Sequence, residues 1–197
     1  MNISAASIIF ILTIIVSGIV LAIPNLLNKF SFIPYNVIHK NQWYRFLTSG
    51  ITHLNLTHLL FNMCTFYFFS FDLEKTIGEI NFIWIYIGSM LFSHIPTLIK
   101  YRNNINYSSL GASGAISGVI FSSILIYPTN SMMIMPIPIP IPAFIFGICY
   151  IIWCIAANNR NTDNINHSAH LAGAIAGIII TFVLFGEQII KIRQQML

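Results

Sequence analysis

Charge is scarce in this chain. Only 7% of its 197 residues are Asp, Glu, Lys or Arg, whereas an ordinary soluble domain carries about 25%. Hydrophobic residues make up 56% of the sequence, and the mean hydropathy is +0.79. A core of this size cannot hide so much apolar surface when so few charges are left to face water. The composition therefore excludes a soluble globular enzyme and a disordered chain, and it predicts a polytopic membrane protein.

Acidic residues and cysteines are also few. Five acidic residues stand against nine basic ones, which gives a net charge of +4. This balance comes from a shortage of acids and not from a dense basic patch, so we expect no nucleic-acid partner. The three cysteines, Cys64, Cys149 and Cys154, have no metal or redox spacing and are interpreted as small buried hydrophobic residues. We expect no disulfide framework, no metal and no cofactor.

The fourteen charged residues all lie outside the cores of long apolar stretches. Each stretch approaches the roughly 20 residues that a membrane-spanning helix needs, and none shows the period-two alternation of a membrane β-barrel. The sequence therefore predicts an all-α membrane protein with six transmembrane helices in a single domain, 1–197. The first span has no Lys or Arg before it and no convincing cleavage site behind it, so we interpret it as a retained helix. The predicted spans are Ser7–Ile23, His53–Phe71, Asn81–Ile99, Ala112–Tyr127, Ala143–Ala157 and Ala169–Phe185.

Two connections between the spans are distinctive. The segment Pro24–Thr52 mixes aromatic residues with Lys and Arg, a composition that suits the headgroup interface and predicts a loop embedded in the membrane surface. The run Met135–Pro142 alternates Pro and Ile, so it cannot be a continuous helix and is predicted to form an extended, polyproline-like turn. The distribution of Lys and Arg between the connections favours termini outside the cytoplasm.

Strong polar residues inside the spans are functional candidates by default, because they are costly to place in lipid. His58 and Asn62 are four residues apart, so they share one face of the second predicted helix. Their N–H groups could together hold an oxyanion. An interhelical hydrogen-bonding pair is the alternative.

Ser113 lies between small residues in the run Gly111-Ala-Ser-Gly114 at the start of the fourth span. The run predicts either close helix packing or a nucleophile at a helix N-terminus, where the helix dipole favours developing negative charge. His170 begins a second run of small residues, which includes Gly173 and Gly177. Matching small faces would bring His170 close to Ser113, where a neutral imidazole can accept the serine proton.

The remaining histidines are weaker candidates. His167, three residues before His170, is the main rival for the role of base. His53 is expected near the surface end of the second helix, His39 in the interfacial loop, and His94 at a kinked helix end before Pro96. A metal site built from His58, His170 and a further histidine is a less favoured alternative, because no acidic or thiolate ligand spacing supports it. No span contains a carboxylate, so a serine hydrolase here would use a Ser–His dyad, and we do not expect Asp163 to take part.

These motifs occur together in a familiar order: Trp43-Tyr-Arg45, His53, His58-xxx-Asn62, Glu74 with Gly78, Gly111-x-Ser113-Gly114, and Ala169-His170-xx-Gly173-xxx-Gly177. The combination resembles the rhomboid family of intramembrane serine proteases from about Gln42 to Gly177. The resemblance implies a six-helix rhomboid-like bundle with a membrane-embedded first loop, which cleaves transmembrane segments of other proteins near the bilayer surface. It also implies cytoplasmic termini, which we prefer to the orientation that the charge count favours, and we expect a bacterial inner membrane.

The resemblance assigns roles by position. Ser113 matches the nucleophile and His170 its general base, while His58, Asn62 and the backbone N–H of Ser113 match the groups that stabilise the oxyanion. Structural support positions are matched by Trp43, Arg45, Glu74, Gly111, Gly114 and Gly173. One departure is Ser117, which stands where some members carry an aromatic residue beneath the histidine. Two alternatives stay open: a catalytically silent relative that binds membrane clients, and a small transporter or channel.

Overall fold

The computed structural model describes residues 3–134, 137–160 and 165–195. Within these ranges the chain forms nine α-helices, a short 3-10 helix at Ser49–Ile51 and a two-stranded antiparallel hairpin. The helices are α1 (Ala5–Ala22), α2 (Pro24–Phe30), α3 (Pro34–Lys40), α4 (Arg45–Thr48), α5 (Leu56–Ile77), α6 (Glu79–Tyr101), α7 (Ser113–Ile126), α8 (Ala143–Arg160) and α9 (His167–Gln195). The strands are β1 (Ser131–Ile134) and β2 (Ile137–Pro142).

Three helices of the described chain are long and apolar enough to cross a membrane. They are α1, α6 and the segment His167–Glu187 of α9, and two shorter apolar segments lie at Ser113–Ile126 and Ala143–Asn158. The six predicted spans fall on α1 and on α5 to α9. The fold is therefore mostly helical with membrane-spanning helices, and the count of six spans stays a prediction.

Helix α7 packs against both α6 and α9, which also pack against each other, and small residues allow these backbones to approach closely. A β carbon added at Gly173 would collide with the carbonyl oxygen of Gly114, and one added at Gly177 would collide with that of Gly118. The side chain of Ser93 from α6 packs against Gly114 as well. The predicted matching of two small-residue faces is confirmed, and it fixes the distance between the starts of α7 and α9.

The first connection is helical where the sequence predicted a loop. Pro24 and Pro34 occupy the first turns of α2 and α3, where the fixed φ angle of proline and its missing N–H cost little. Helix α3 ends at Asn41, which adopts the left-handed conformation with φ of 56°. A bridge between Phe32 and Ser109 then ties this segment to the residues that precede α7.

Several local predictions need correction. Residues 137–142 form a strand, so the fold is not purely α. The isoleucines at alternate positions keep the backbone N–H groups that a β-ladder needs. Proline cannot donate to the ladder and is therefore tolerated in an edge strand. Met135 and Pro136 lie outside the described residues. Cys64 and Cys149 are exposed, and only Cys154 is buried. Helix α6 continues past Pro96 to Tyr101, so His94 does not mark a helix end.

Candidate active site

Ser113 and His170 meet at the ends of two closely packed helices. Ser113 is the first residue of α7, and His170 lies in the first turn of α9. The His170 Nε2 atom lies 2.6 Å from the Ser113 Oγ atom, a distance at which an imidazole can accept a hydroxyl proton. The contact follows from the packing of Gly173, about one turn after His170, against Gly114, which directly follows Ser113.

His58 and Asn62 line the same cavity as the Ser113–His170 pair, and the cavity has a volume of about 810 Å³. Helix α5 begins at Leu56 because the side chain of Asn55 accepts a hydrogen bond from the His58 backbone N–H at 2.8 Å. One hydrogen of the Asn62 carboxamide is donated to the His58 carbonyl at 3.0 Å. The second carboxamide hydrogen and the His58 imidazole can each donate a hydrogen bond to an anionic oxygen in the cavity.

Gly111 lets the loop before α7 pass close to the His58 ring. Its φ angle is +123°, and a β carbon there would lie 2.8 Å from the His58 Nε2 atom. The Gly111 N–H donates to the Ser49 carbonyl at 2.8 Å, which fixes the loop against the 3-10 helix. Any side chain at position 111 would therefore strain the backbone and displace His58.

His53 is more deeply placed than the sequence suggested. It lies ahead of α5 and is fully buried, with its Nδ1 atom 2.9 Å from the Ser17 Oγ atom. Its Nε2 atom accepts the backbone N–H of Ala112 at 3.4 Å. Since Ser17 donates its own hydrogen to the Ile51 carbonyl, the ring carries its proton on Nδ1. Burial, together with the adjacent His58 ring, lowers the pKa of His53 to about 3, which keeps it neutral.

The other histidines lie away from the serine. His167 is 3% exposed, and its ring packs edge-on against Trp153 at 4.7 Å and lies 6.3 Å from the His170 ring. The geometry therefore puts His170, and not the rival His167, against Ser113. His94 is buried, and its Nε2 atom lies 2.8 Å from the Ser49 Oγ atom. Among the described residues, no three His, Cys, Asp or Glu side chains are grouped to hold a metal ion; Asp163 lies outside those residues.

Arg45 begins the short helix α4, and Trp43 lies in the turn before it. Arg45 is 4% exposed, and its guanidinium donates to the carbonyls of Asn28 at 2.8 Å and Ser31 at 2.5 Å. Burial lowers the pKa of this guanidinium, although a guanidinium stays charged at any physiological pH. Trp43 is exposed and stacks on Phe46. Arg45 thus fixes the path of residues 28–45, whereas Trp43 faces outward.

Glu74 lies at the opposite end of the helices from the cavity. Its side chain is 8% exposed, and its Oε1 atom accepts the backbone N–H of Ala6 at 3.2 Å. A carboxylate at this point satisfies an open donor at the start of α1 and is stabilised by the helix dipole. Glu74 therefore joins α1 to α5 and makes no contact with the cavity.

Two further residues were missed by the sequence reasoning. The Tyr150 OH group of α8 lies 3.0 Å from the Ser117 Oγ atom, so an aromatic ring from another helix packs at the position where Ser117 departs from the family pattern. Asn166 donates to Thr97 Oγ1 at 2.7 Å and to Tyr107 OH at 3.2 Å, and it accepts the Ala169 N–H at 3.1 Å. An Asn just ahead of an apolar helix is a capping signal that could have identified Asn166. Nothing in the local sequence points to Tyr150.

Comparison with known proteins identifies the family. A family model described as the Rhomboid domain matches residues 40–187. The chain belongs to the rhomboid family. It is therefore an integral membrane protein, in agreement with its apolar helices.

Curated relatives of this rhomboid come from bacteria and from eukaryotic organelles. The rhomboid-family protein YdcA of Bacillus subtilis is 32% identical over 158 residues, a match that covers 76% of this chain and 71% of that protein. Rhomboid protease GluP of Bacillus subtilis is 26% identical, with 76% of this chain and 27% of that protein covered. Rhomboid protein 1, mitochondrial, of Saccharomyces cerevisiae is 27% identical, with 76% of this chain and 44% of that protein covered. The chain thus spans less than half the length of the last two.

Proposed function

We propose that this rhomboid is an intramembrane serine endopeptidase that cleaves transmembrane segments of other proteins near the bilayer surface through a Ser113–His170 dyad. The observation that carries the proposal is the 2.6 Å separation of His170 Nε2 and Ser113 Oγ. That distance lies within the range expected for a nucleophile and its general base. The name of the relative GluP, a rhomboid protease, agrees with the same reaction.

The proposed reaction has two steps. His170 Nε2 accepts the hydroxyl proton while Ser113 Oγ attacks the scissile carbonyl carbon, and the oxygen of the tetrahedral intermediate becomes negatively charged. The C–N bond then breaks, and the imidazolium gives its proton to the leaving amine. In the second step His170 takes a proton from a water molecule that attacks the ester carbonyl carbon, and the imidazolium then gives this proton to Ser113 Oγ as the ester C–O bond breaks.

The His58 and Asn62 side chains and the Ser113 backbone N–H are the proposed oxyanion donors. All three residues line the cavity, and Ser113 N–H lies in the first turn of α7, where N–H groups have no partner within the helix. Preorganised donors of this kind typically contribute about 10²–10³ in rate each. Gly111, with its positive φ angle, keeps His58 close to the serine.

The proposed substrates are membrane proteins whose spanning helix can unwind near the cut. A helical backbone in lipid is fully hydrogen-bonded and hides its carbonyl carbons, so helix-breaking residues near the scissile bond should speed cleavage. We place the enzyme as a six-span, multi-pass protein with cytoplasmic termini in a bacterial inner membrane. Its partners are then transmembrane substrates and the lipid bilayer.

The decisive test is Ser113→Ala in purified enzyme that is reconstituted with a single-span substrate. Cleavage should fall to background, and a fluorophosphonate probe that labels the native enzyme should no longer react. Ser123→Ala is the matched control, because Ser123 lies on the same helix and donates only to the Val119 carbonyl; its rate should stay native. Undiminished cleavage by the Ser113→Ala enzyme would exclude the mechanism. Substrate binding without cleavage or labelling by the native enzyme would favour the silent relative.

A further inference from the structure

The cavity of the candidate active site extends from the dyad to a basic side chain. Beyond Ser113 and His170 its lining includes Thr97, Tyr107 and Lys100. Thr97 and Lys100 lie in the last two turns of α6, which ends at Tyr101. Lys100, which is exposed, therefore borders the same cavity as the serine.

The Lys100 side chain rests on a wall that is continuous with the helix carrying His170. Its Nζ atom lies 5.1 Å from the centroid of the Tyr101 ring, and that ring stacks on Tyr107 at 3.6 Å with an interplanar angle of 6°. The Tyr107 OH group accepts a hydrogen bond from Asn166, which caps the start of α9. Burial is the main cause that raises the pKa of Tyr107 to about 12, so the wall carries no negative charge.

Within the described part of the chain, no acidic residue shares this end of the helices. Asp72 and Glu74 lie in the last turns of α5, and Glu79 begins α6. Glu187 follows His170 by seventeen residues on α9, which is about 25 Å at 1.5 Å per residue. Lys100 has no ion-pair partner among these side chains. A cation beside a cavity that partly excludes water attracts an anionic group more strongly than one in bulk water does.

We propose that Lys100 forms a substrate subsite for a carboxylate side chain, Asp or Glu, close to the scissile bond. The inference rests on the proposed peptidase function. Ser93 packs against Gly114 next to the nucleophile, and Lys100 lies seven residues further along α6, about 10 Å at the helical rise. An extended substrate covers about 3.3–3.6 Å per residue. The acidic side chain should therefore lie two to four residues from the cut.

Charge reversal on both partners tests the subsite. A single-span substrate would carry Asp, Asn or Lys at each position up to four residues on either side of the cut, in vesicles of neutral phosphatidylcholine. The native enzyme should show a kcat/KM about three- to tenfold higher for Asp than for Lys at one of the positions two to four residues from the cut, as expected for a partly exposed ion pair. Lys100→Glu should invert that order at the same position. Lys40→Glu makes the same charge change on an exposed residue that does not line the cavity. This variant should keep the native preference for the Asp substrate over the Lys substrate.

A binding arm separates the subsite from the chemistry. Ser113→Ala enzyme should bind the uncleaved Asp substrate more tightly than the Lys substrate, and the double variant with Lys100→Glu should reverse this. If the native enzyme cleaves nothing but binding follows this pattern, the peptidase function fails and the subsite stands. If the Asp and Lys substrates are cleaved equally well by the native enzyme and are also bound equally well by the Ser113→Ala enzyme, the subsite is overturned. A Lys100→Glu defect that is equal for all substrates and confined to vesicles with anionic lipid would also overturn it, because Lys100 would then contact headgroups.

Discussion

A single methyl group at Gly173 is expected to separate the two helices that carry the dyad. In the Gly173→Ala protein, the new β carbon would lie 2.8 Å from the carbonyl carbon of Gly114 and 3.2 Å from its Cα atom. Favourable carbon contacts begin at about 3.5 Å. The obstacle is backbone and cannot rotate away, so α9 must move by roughly 1 Å relative to α7 to restore contact distance.

The shift acts on the catalytic distance because His170 lies only three residues before Gly173. A displacement of about 1 Å in a reacting group can lower a rate about 10²-fold, so we expect kcat to fall about 10- to 100-fold. Overpacking should lower the free energy of unfolding by about 1–3 kcal/mol. The higher helix propensity of alanine should offset about 1 kcal/mol of this loss. The net loss of about 0–2 kcal/mol should lower Tm by up to about 8 °C.

The assay combines the initial cleavage rate in vesicles with thermal unfolding of the purified protein. Gly177→Ala is the first control, because it makes a similar clash with Gly118 but lies about 10 Å along α9 from His170. It should lose similar stability and less activity. Gly186→Ala is the second control, since its β carbon would be in ordinary contact with Phe182 at 3.5 Å; it should keep native activity. A Gly173→Ala protein with native Tm and native rate would refute the reasoning.

Three further substitutions probe the contacts around the bundle. Glu74→Gln should lower the free energy of unfolding by about 0.5–1 kcal/mol, because a carboxylate no longer meets the Ala6 N–H, and kcat should not change. The pKa of His53 is about 3 in the folded chain, whereas that of an ordinary histidine is 6.5, so below pH 6.5 the unfolded state binds a proton that the folded state does not. This difference should lower the free energy of unfolding by about 2 kcal/mol between pH 7 and pH 5. In the His53→Gln protein, the free energy of unfolding should decrease by correspondingly less over the same pH range. Tyr150→Phe should cost about 1 kcal/mol by removing the hydrogen bond to Ser117, with the native kcat retained, as unfolding and cleavage assays would measure.

The pairing of α7 with α9 could be predicted because its cause is local. Glycines four residues apart place a smooth stripe on one helix face, and two such stripes can pack on each other at short range. The contact between Gly114 and Gly173 could therefore be predicted from the sequence, and the proximity of Ser113 and His170 followed from it. The rhomboid resemblance reached the same pair by its motifs, and the family match confirms the family itself.

Contacts between distant segments could not be predicted in this way. Ser17 and His53 are 36 residues apart, and Ser117 and Tyr150 are 33 apart; no periodicity in the sequence links either pair. The helices within the first connection were also missed, because its aromatic and basic residues suit an interfacial loop and an interfacial helix equally. The hairpin at 131–142 was missed for a similar reason, since alternating Pro and Ile is compatible with any extended conformation.

Helix packing is one means of orienting the proposed base. In a triad the acid holds the imidazole by a charged hydrogen bond, but a carboxylate is costly inside a membrane. Here every described acidic side chain lies at the far end of the helices, while the His170 backbone is held by the Gly173–Gly114 contact and by its N–H bond to the Asn166 carbonyl. The approach of α7 to α9 thus sets the position of the His170 backbone. For this reason, cleavage through the proposed dyad should be sensitive to an added methyl group between the helices at any ionic strength, because salt screens charges but leaves backbone packing unchanged.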